Sequence, residues 1–287
     1  MRKIRIGIAG GTGGIGRWFA GFFQDAGFPV RPAGRASAPD LPAMARESDI
    51  LIVSVPIDVT PDVIRRVGSH VRGDGLLMDL TSLKTEPVRA MLAATEAEVV
   101  GCHPLFGPDV PSIVGQNIVL CPGRGRKWLV WLAGLFRENS ARVIETTPEH
   151  HDRMMAVVQG LTHLDTVVMG ITLREAGMDP EDLDRFSTPA FRARLKTIEK
   201  VFDGSPGLYA GIIMGNPAIP EMIRRFEKNL RGLKELVTRG DAEALRERMM
   251  GRPPGGPQAR RKGAKGKAKR ENKRLTGPQK PVKRNAN

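Results

Sequence analysis

Cysteine is scarce in this chain of 287 residues. The two that occur, Cys102 and Cys121, do not have a spacing typical of metal ligands. A disulfide framework or a zinc-dependent fold is therefore not expected, and no metal site is predicted. We interpret both residues as buried thiols in preference to a disulfide or a reactive site.

Long apolar runs are also missing. No uninterrupted run approaches the roughly 20 apolar residues that a membrane helix needs. Residues 1–7 are basic and then apolar, but the chain becomes glycine-rich at Gly10 and shows no small-residue cleavage site. We interpret this start as a first β-strand rather than a signal peptide, and we expect a cytoplasmic protein that does not contact a membrane.

Acidic residues are nearly absent from the end of the chain, although the net charge of the whole is +14. Residues 251–287 hold thirteen Lys or Arg and one Glu, or +12, which leaves +2 for residues 1–250. The same segment has no aromatic residue and begins with prolines and glycines. Such a composition cannot bury a core, so residues 251–287 are predicted to be a disordered basic tail.

The first half of the chain alternates between apolar runs and helical periodicity. The apolar runs predict strands at 4–9, 28–30, 49–55, 76–80, 99–102 and 117–121, with helices at 14–26 and from Thr60 onward. Continuous apolar strands are typical of parallel sheets that are covered on both faces. The pattern predicts an α/β Rossmann-type fold, with a doubly wound parallel sheet, over residues 1–146.

Strand-like runs stop after about residue 146. Helices are predicted at 148–176, 190–203, 206–214 and 220–237, and the first two are apolar on more than one side. A helix of this kind needs more cover than one small domain offers. Residues 147–250 are therefore predicted to form an all-helical domain that binds substrate and builds a homodimer.

A glycine-rich segment, Gly11-Thr12-Gly13-Gly14-Ile15-Gly16, connects the first predicted strand to the first predicted helix. In that context Gly11 allows a tight turn, Gly13 lets a pyrophosphate approach the backbone, and Gly16 lets the helix pack on the strand. The helix N-terminus attracts phosphate. Residues 11–16 therefore predict a bound dinucleotide.

The acidic residue that an NAD site usually places about 20 residues further on is missing. The sequence there is Ala33-Gly34-Arg35-Ala36-Ser37. Arginine cannot accept a hydrogen bond from a ribose hydroxyl, but it pairs well with a 2′-phosphate. Arg35 therefore favours NADP over NAD; the alternatives are NAD and a merely solvated loop charge.

Candidate reactive groups follow two of the predicted strands, in segments 79–84 and 101–108. In open α/β sheets, ligands bind beyond the carboxyl ends of the strands. His103 lies there, on a loop that Pro104 and Pro108 stiffen, and its ordinary pKa of about 6.5 suits proton exchange with a hydroxyl. A structural role is the alternative for a single loop histidine.

Taken in order, these motifs resemble the prephenate dehydrogenase family, especially its compact archaeal type. The resemblance covers about residues 4–245 and rests on segments 11–20, 54–57, 79–84, 103–108, 115–116, 151–154, 159–163 and 208–210. It implies oxidative decarboxylation of prephenate to 4-hydroxyphenylpyruvate in tyrosine biosynthesis, with hydride transfer to NADP or NAD.

The resemblance also implies roles for individual residues. His103 would be the catalytic base, Ser82 would form a hydrogen bond near the reacting hydroxyl, and His163 would face the pocket, with a core histidine as the alternative. Val55 and Pro56 would lie at the cofactor.

Prephenate carries two carboxylates, for which Arg192 and Lys200 are the candidate cations, with a solvated helix face as the alternative for each. The family commonly has arginine where Lys200 stands, and lysine cannot make the bidentate pair. Gly211 and Leu164 also depart from the family's aspartate and phenylalanine. These departures leave the choice between prephenate and arogenate open.

Two other functions compete with this interpretation. One is a different NADP-dependent oxidoreductase that acts on a small hydroxy acid. The other is a nucleic-acid-associated protein that binds through its basic tail, which supplies phosphate neutralisation but no folded reader module. Weak binding of the tail to nucleic acid or an anionic surface could also accompany an enzyme.

Overall fold

The protein is represented by a computed structural model that describes residues 3–250. The predicted tail, residues 251–287, lies outside the described residues. By compactness the chain divides into one unit at residues 1–225 and a second at 226–287. The predicted domain boundaries near residues 146 and 250 stay predictions.

A seven-stranded sheet forms the centre of the first unit, with strand order β2-β1-β3-β4-β5-β6-β7. All neighbouring strands run parallel except β5 and β6, which are antiparallel. The strands are β1 (Ile6–Ala9), β2 (Val30–Ala33), β3 (Ile50–Val53), β4 (Leu76–Asp79), β5 (Glu98–Pro104), β6 (Asn117–Arg124) and β7 (Arg142–Glu145).

This sheet confirms the predicted α/β Rossmann-type fold, with two differences. Strand β6 reverses direction because residues 105–116 connect it to β5 without the crossover helix that a parallel pair requires. Strand β7 was not predicted, since three of its four residues are exposed and it lacks the apolar run of a buried strand.

Helices cover both faces of the sheet. They are α1 (Gly14–Asp25), α2 (Leu41–Glu47), α3 (Thr60–Gly68), α4 (Thr85–Ala94) and α5 (Lys127–Glu138). One core layer joins Ile50 and Ile52 to α1 and α5, while Leu51 and Val53 face the layer under α2, α3 and α4. Strand β3 is therefore apolar throughout because both of its faces are buried.

Both cysteines lie in this sheet as free, buried thiols. Burial raises the pKa of Cys102 well above its ordinary value and that of Cys121 to about 12. Neither thiol forms the reactive thiolate at neutral pH. The interpretation as buried, unreactive cysteines is confirmed.

The second half of the chain is helical, as predicted. It contains α6 (Pro148–Met155), α7 (Thr162–Glu175), α8 (Pro180–Arg185), α9 (Pro189–Glu199), α10 (Pro206–Gly215), α11 (Ile219–Arg239) and α12 (Ala242–Met250). Turns of π-helix, Ala156–Leu161 and Lys200–Gly204, follow α6 and α9. Thr147, Asp179 and Thr188 cap α6, α8 and α9 directly before a proline, which explains where these helices begin.

The continuous helix Pro148–Glu175 is 28 residues long and, by length and composition alone, could cross a membrane. Its sequence contains no long uninterrupted apolar run, because polar residues separate the apolar ones. Only 22% of its most apolar stretch is buried, and Val157, Val158 and Val168 are among its exposed side chains. Core helices of soluble proteins satisfy the same criterion, and here an apolar surface is left open.

Candidate active site

A cavity of about 700 Å³ lies at the carboxyl ends of β1, β3, β4 and β5. Its sheet side is formed by the residues that follow these strands, and its other side by helical residues of the same unit. The sheet side includes Gly14, Ile15, Ser54, Val55, Pro56, Ser82, His103 and Asp109; the helical side includes Gln159, His163, Lys200, Leu208, Tyr209 and Ile212. The fold thus brings residues distant in sequence to one place.

The glycine segment forms a tight loop between β1 and α1. A Cβ atom on Gly16 would collide with the carbonyl of Gly10, and one on Gly11 would collide with Pro32. Gly13, by contrast, faces open space apart from the Gly10 carbonyl. It is the N-cap of α1 and no side chain caps that helix end, so the first N–H groups are free to meet an anion. The loop fits a pyrophosphate group.

Arg35 lies next to this loop. The N–H groups of Gly10 and Gly11 donate to the carbonyl of Ala33, at 2.8 and 3.0 Å, which fixes the end of β2 against the loop. Two residues later Arg35 begins the 3-10 turn Arg35–Asp40 with an exposed side chain. A Cβ atom on Gly34 would collide with Thr12 of the loop, so the backbone directly before Arg35 lies beside the glycine loop.

His103 lies within β5, one residue from the strand end, and not on a loop as predicted; it is only 3% exposed. Its Nδ1 is 2.8 Å from Nε2 of His151, and Nδ1 of His151 is 2.7 Å from Oδ1 of Asp152. Asp152 also accepts hydrogen bonds from the backbone N–H groups of Lys84 and Thr85, each at 2.9 Å. The three side chains form one buried chain that ends at the cavity.

The order of these contacts determines which nitrogen of His103 is a base. An ionised Asp152 only accepts, so Nδ1 of His151 carries a proton. With His151 neutral, its Nε2 accepts the proton of Nδ1–H of His103. Nε2 of His103 then presents its lone pair to the cavity, where the Gln159 amide nitrogen lies 3.4 Å away.

The protonation of this chain follows from its surroundings. Burial, together with His151 and Lys84, holds the pKa of His103 well below its ordinary value. Burial alone would raise the pKa of Asp152, but hydrogen bonds from His151, Thr85 and Lys84 hold it below its ordinary value. The protein therefore keeps a neutral imidazole and an ionised carboxylate at neutral pH, which is the state a general base needs.

Ser82 and His163 both line the cavity, from the loop after β4 and from α7. The ring of His163 lies 4.8 Å from that of Tyr209, edge to face. Burial lowers the pKa of His163, so it is a neutral hydrogen-bonding group rather than a cation.

The structure separates the two candidate cations. Lys200 lines the cavity, and its Nζ is 3.1 Å from Oδ2 of Asp109 in an exposed ion pair. Arg192 is not among the lining residues; its guanidinium lies 3.2 Å from the carboxylate of Asp184 and donates to the Asp184 carbonyl at 2.9 Å. Of the two candidate cations, Lys200 alone lies with the other site residues within this chain.

Several site residues were not identified as functional from the sequence. His151, Asp152 and Gln159 lay inside motif segments 151–154 and 159–163 with no role assigned to them, and Asp109 directly followed segment 103–108. The available signal was the pair His151-Asp152 in the first turns of a helix capped by Thr147. The contacts of His151 and Gln159 with His103 span 48 and 56 residues of sequence, so only the folded chain shows them.

A glycine loop at a helix N-terminus, joined to a cavity with an oriented histidine, defines a nucleotide-binding α/β protein with a helical second part. Residues 33–145 match the nucleotide-binding domain of prephenate dehydrogenase, and residues 147–251 match its dimerization domain. The chain belongs to the prephenate dehydrogenase family.

Two curated relatives show the extent of the similarity. A probable arogenate/prephenate dehydrogenase of Methanocaldococcus jannaschii is 36% identical over 263 residues, which cover 85% of this chain and 59% of the relative. The T-protein of Enterobacter agglomerans is 32% identical, over 83% of this chain and 64% of its own length. The chain thus spans about three fifths of the length of these relatives.

A solved structure agrees in fold. The crystal structure of prephenate dehydrogenase from A. aeolicus, in complex with hydroxyphenyl propionate and NAD+, has a TM-score of 0.72 and 22% sequence identity. The match covers 87% of this chain and 96% of that chain. The arrangement of sheet and helices described above is therefore that of the family.

Proposed function

We propose that the protein is an NAD(P)-dependent dehydrogenase that oxidatively decarboxylates prephenate, or its amino counterpart arogenate, in tyrosine biosynthesis. The observation that carries this proposal is the oriented base: Nε2 of His103 faces a cavity that begins at the dinucleotide loop. The similarity of the chain to dehydrogenases named for these two substrates supports the same reaction.

His103 would accept the proton of the hydroxyl at ring carbon C4 of the substrate. When bound, the nicotinamide ring supplies the acceptor for the hydride that leaves C4. The bond between C1 and its carboxylate then breaks, carbon dioxide departs, and the bonding electrons complete the aromatic ring. From prephenate the product is 4-hydroxyphenylpyruvate, and the proton taken from the hydroxyl resides on His103.

The buried chain behind His103 would stabilise that protonated state. A positive charge that forms on His103 is shared through His151 with the carboxylate of Asp152, as in other His–carboxylate pairs that orient a base. Ser82 and His163 would donate or accept hydrogen bonds along the same cavity. Lys200 would attract a substrate carboxylate as a point charge.

Arg192 is a weaker candidate for the second carboxylate, because Asp184 already holds its guanidinium. A substrate would gain this cation only by displacing that ion pair. We therefore place Lys200, and not Arg192, in the substrate site of a single chain.

Residues 11–16, Val55 and Pro56 would hold the cofactor, and Arg35 favours NADP over NAD. The position of Arg35 beside the loop supports this preference, because a 2′-phosphate projects from the ribose that follows the pyrophosphate. The guanidinium would gain a charge-assisted hydrogen bond there.

A homodimer built by the helical part is proposed as well. The match of residues 147–251 to a dimerization domain supports it, as does the exposed apolar surface of the helix Pro148–Glu175. The cytoplasmic location and the anion-binding role of the tail stay predictions.

The decisive experiment measures reduction of NADP and NAD by purified protein with prephenate, arogenate and simple hydroxy acids in turn. Activity with prephenate or arogenate, with release of carbon dioxide, is expected. Turnover of only a hydroxy acid would favour the alternative oxidoreductase. Folded protein that is inactive with every pair would exclude the proposed reaction.

A further inference from the structure

Lys84 is a fully buried charged residue that the reaction as written does not use. Its side chain is 0% exposed, and its Nζ forms an ion pair with Asp79, which is also 0% exposed. Burying two charges away from water is costly, and replacing such a pair by apolar residues is often neutral or stabilising. Apolar packing therefore does not explain why this ion pair is present. The hydrogen bonds of Lys84 indicate its role.

Lys84 holds the strand on which His103 lies. Its Nζ donates to the carbonyl of Cys102 at 2.9 Å, directly before His103 in β5. A Cβ atom on Gly101 would lie 3.0 Å from Cδ of Lys84, so the lysine side chain runs past the strand where a glycine leaves room. This contact fixes the backbone from which the imidazole projects.

The backbone of the same residue holds the other end of the buried chain. The N–H of Lys84 donates to Oδ1 of Asp152 at 2.9 Å, and that same oxygen lies 2.7 Å from Nδ1 of His151. One residue thus contacts both Asp152, where the chain begins, and the peptide group next to His103, where it ends.

We propose that Lys84 is a positioning residue that aligns Asp152, His151 and His103 and places a buried cation next to the strand that carries the imidazole. The inference rests on the proposed dehydrogenase function for its kinetic consequence only. His103 is faced by Lys84 from the loop before α4, by His151 and Asp152 from α6, and by Gln159 from the π-helical turn. Asp109, His163 and Lys200 line the same cavity.

The direction of the electrostatic effect is set by the sign of the charge. A cation near an imidazole disfavours its protonation, and Lys84 is one of the groups that lower the pKa of His103. Removing that cation should raise the pKa of His103. The base would then be protonated at a higher pH than in the wild type.

The test uses the double variant Lys84→Met with Asp79→Asn, which removes both charges and leaves no unpaired buried ion. Lys127→Met is the matched control, because Lys127 lies at the start of α5, over the ring of Trp128. The titration of His103 is followed in the free protein by NMR of 15N-labelled histidine, with His103→Asn identifying its signal among the five histidines. kcat and KM are measured in parallel.

The double variant is expected to lose at least about tenfold in kcat with an unchanged KM for NADP, and its His103 should titrate at higher pH than in the wild type. The control variant should match the wild type in its kinetic constants and in the pH at which His103 titrates. If His103 titrated at the same pH in the double variant as in the wild type, the proposal would be overturned, whether or not kcat fell. A residue with only a packing role would not change the pH at which His103 titrates.

Two further outcomes are distinguishable. If the double variant does not fold, Lys84→Arg, which keeps a cation against Asp79, replaces it: titration of His103 at the wild-type pH supports the proposal, and titration at a raised pH overturns it. If the wild type is inactive with every substrate, the proposed function fails, and the NMR titration, which needs no substrate, still decides the role of Lys84.

Discussion

His103 can exchange protons only with the cavity and with the side chains behind it, because it is 3% exposed. An imidazole in water would rotate and titrate freely. Here the carboxylate of Asp152, which is linked to His103 through His151, determines which nitrogen of His103 stays unprotonated. At the scale of single residues the chemistry is therefore decided by the proton order from Asp152 to His103.

Replacing His103 by asparagine should lower kcat by roughly 100-fold or more, the usual scale of general base catalysis. Asparagine keeps a polar side chain but cannot take the proton, and the KM for NADP should change little. Steady-state kinetics measures both. His150→Asn is the matched control, since His150 is exposed on α6, and an equal loss there would remove the special role of His103.

The pH profile should show the lowered pKa of His103. A base must be neutral to act, so a lowered pKa keeps it active at lower pH. The acidic limb of the kcat/KM profile reports the pKa of the base in the free enzyme. This pKa should lie below the ordinary histidine value of about 6.5. A profile that loses activity as pH drops through about 7 would contradict the burial-induced shift.

Asp152→Asn should lower kcat by roughly tenfold or more, because an amide can no longer fix the proton order through His151 as a carboxylate does. Asp62→Asn, which changes an exposed aspartate paired with Arg65 on α3, is the control. Comparable kcat values for both variants, measured at the pH optimum, would show that the buried carboxylate does not orient the base.

The loop between β1 and α1 and the end of β2 act as one element, because their backbones are hydrogen-bonded to each other. The glycines leave room for a phosphate group, and Arg35, two residues after β2, would meet the ribose side of a bound dinucleotide. We therefore expect cofactor preference to be decided at the scale of these two connected loops rather than by the sheet.

Arg35→Ala should weaken NADP binding by at least about tenfold and leave NAD binding nearly unchanged, since a hydrogen bond to a charged group contributes about 1.5–3 kcal/mol. Binding is measured by fluorescence titration of the reduced cofactors. Arg65→Ala on α3 serves as the control. Equal losses of binding for both cofactors, or a wild type that prefers NAD, would show that Arg35 is only a solvated loop charge.

At the scale of the whole molecule, we expect a second copy of the chain to cover the exposed apolar face of the helical part. Light scattering at micromolar concentration should give the mass of a dimer. Val168→Asp, which places a charge on the exposed face of α7, should shift the protein toward monomer. Val130→Asp changes an equally apolar, exposed residue on α5 and should leave the dimer intact; dissociation by both, or by neither, would assign the interface elsewhere.

The tail belongs to the same scale because it carries +12 of the total +14. Truncation after Met250 should leave dehydrogenase activity and dimerisation intact, since all proposed site residues precede that point. Any binding to RNA, DNA or anionic vesicles should disappear with the tail and should weaken steeply with salt in the full chain. Loss of activity on truncation would show that the tail reaches the site.

The sequence alone predicted the α/β start, the helical second part and the glycine loop, and the family resemblance pointed to His103, Ser82 and His163, which line one cavity in the structure. These features are local: apolar runs, capping residues before prolines and motif order are all legible along the chain. These local patterns did not predict β7, whose exposed residues do not form an apolar run, and they did not predict that β6 runs antiparallel to β5.

Only the tertiary structure decided which side chains meet. Asp152 contacts the backbone of Lys84 across 68 residues, and His151 meets His103 across 48 residues, so no spacing rule predicts either contact. It also placed Lys200 in the cavity and left Arg192 with Asp184. A base is made by the burial and proton order of its neighbours, and both exist only after strands β4 and β5 and helix α6 have packed together.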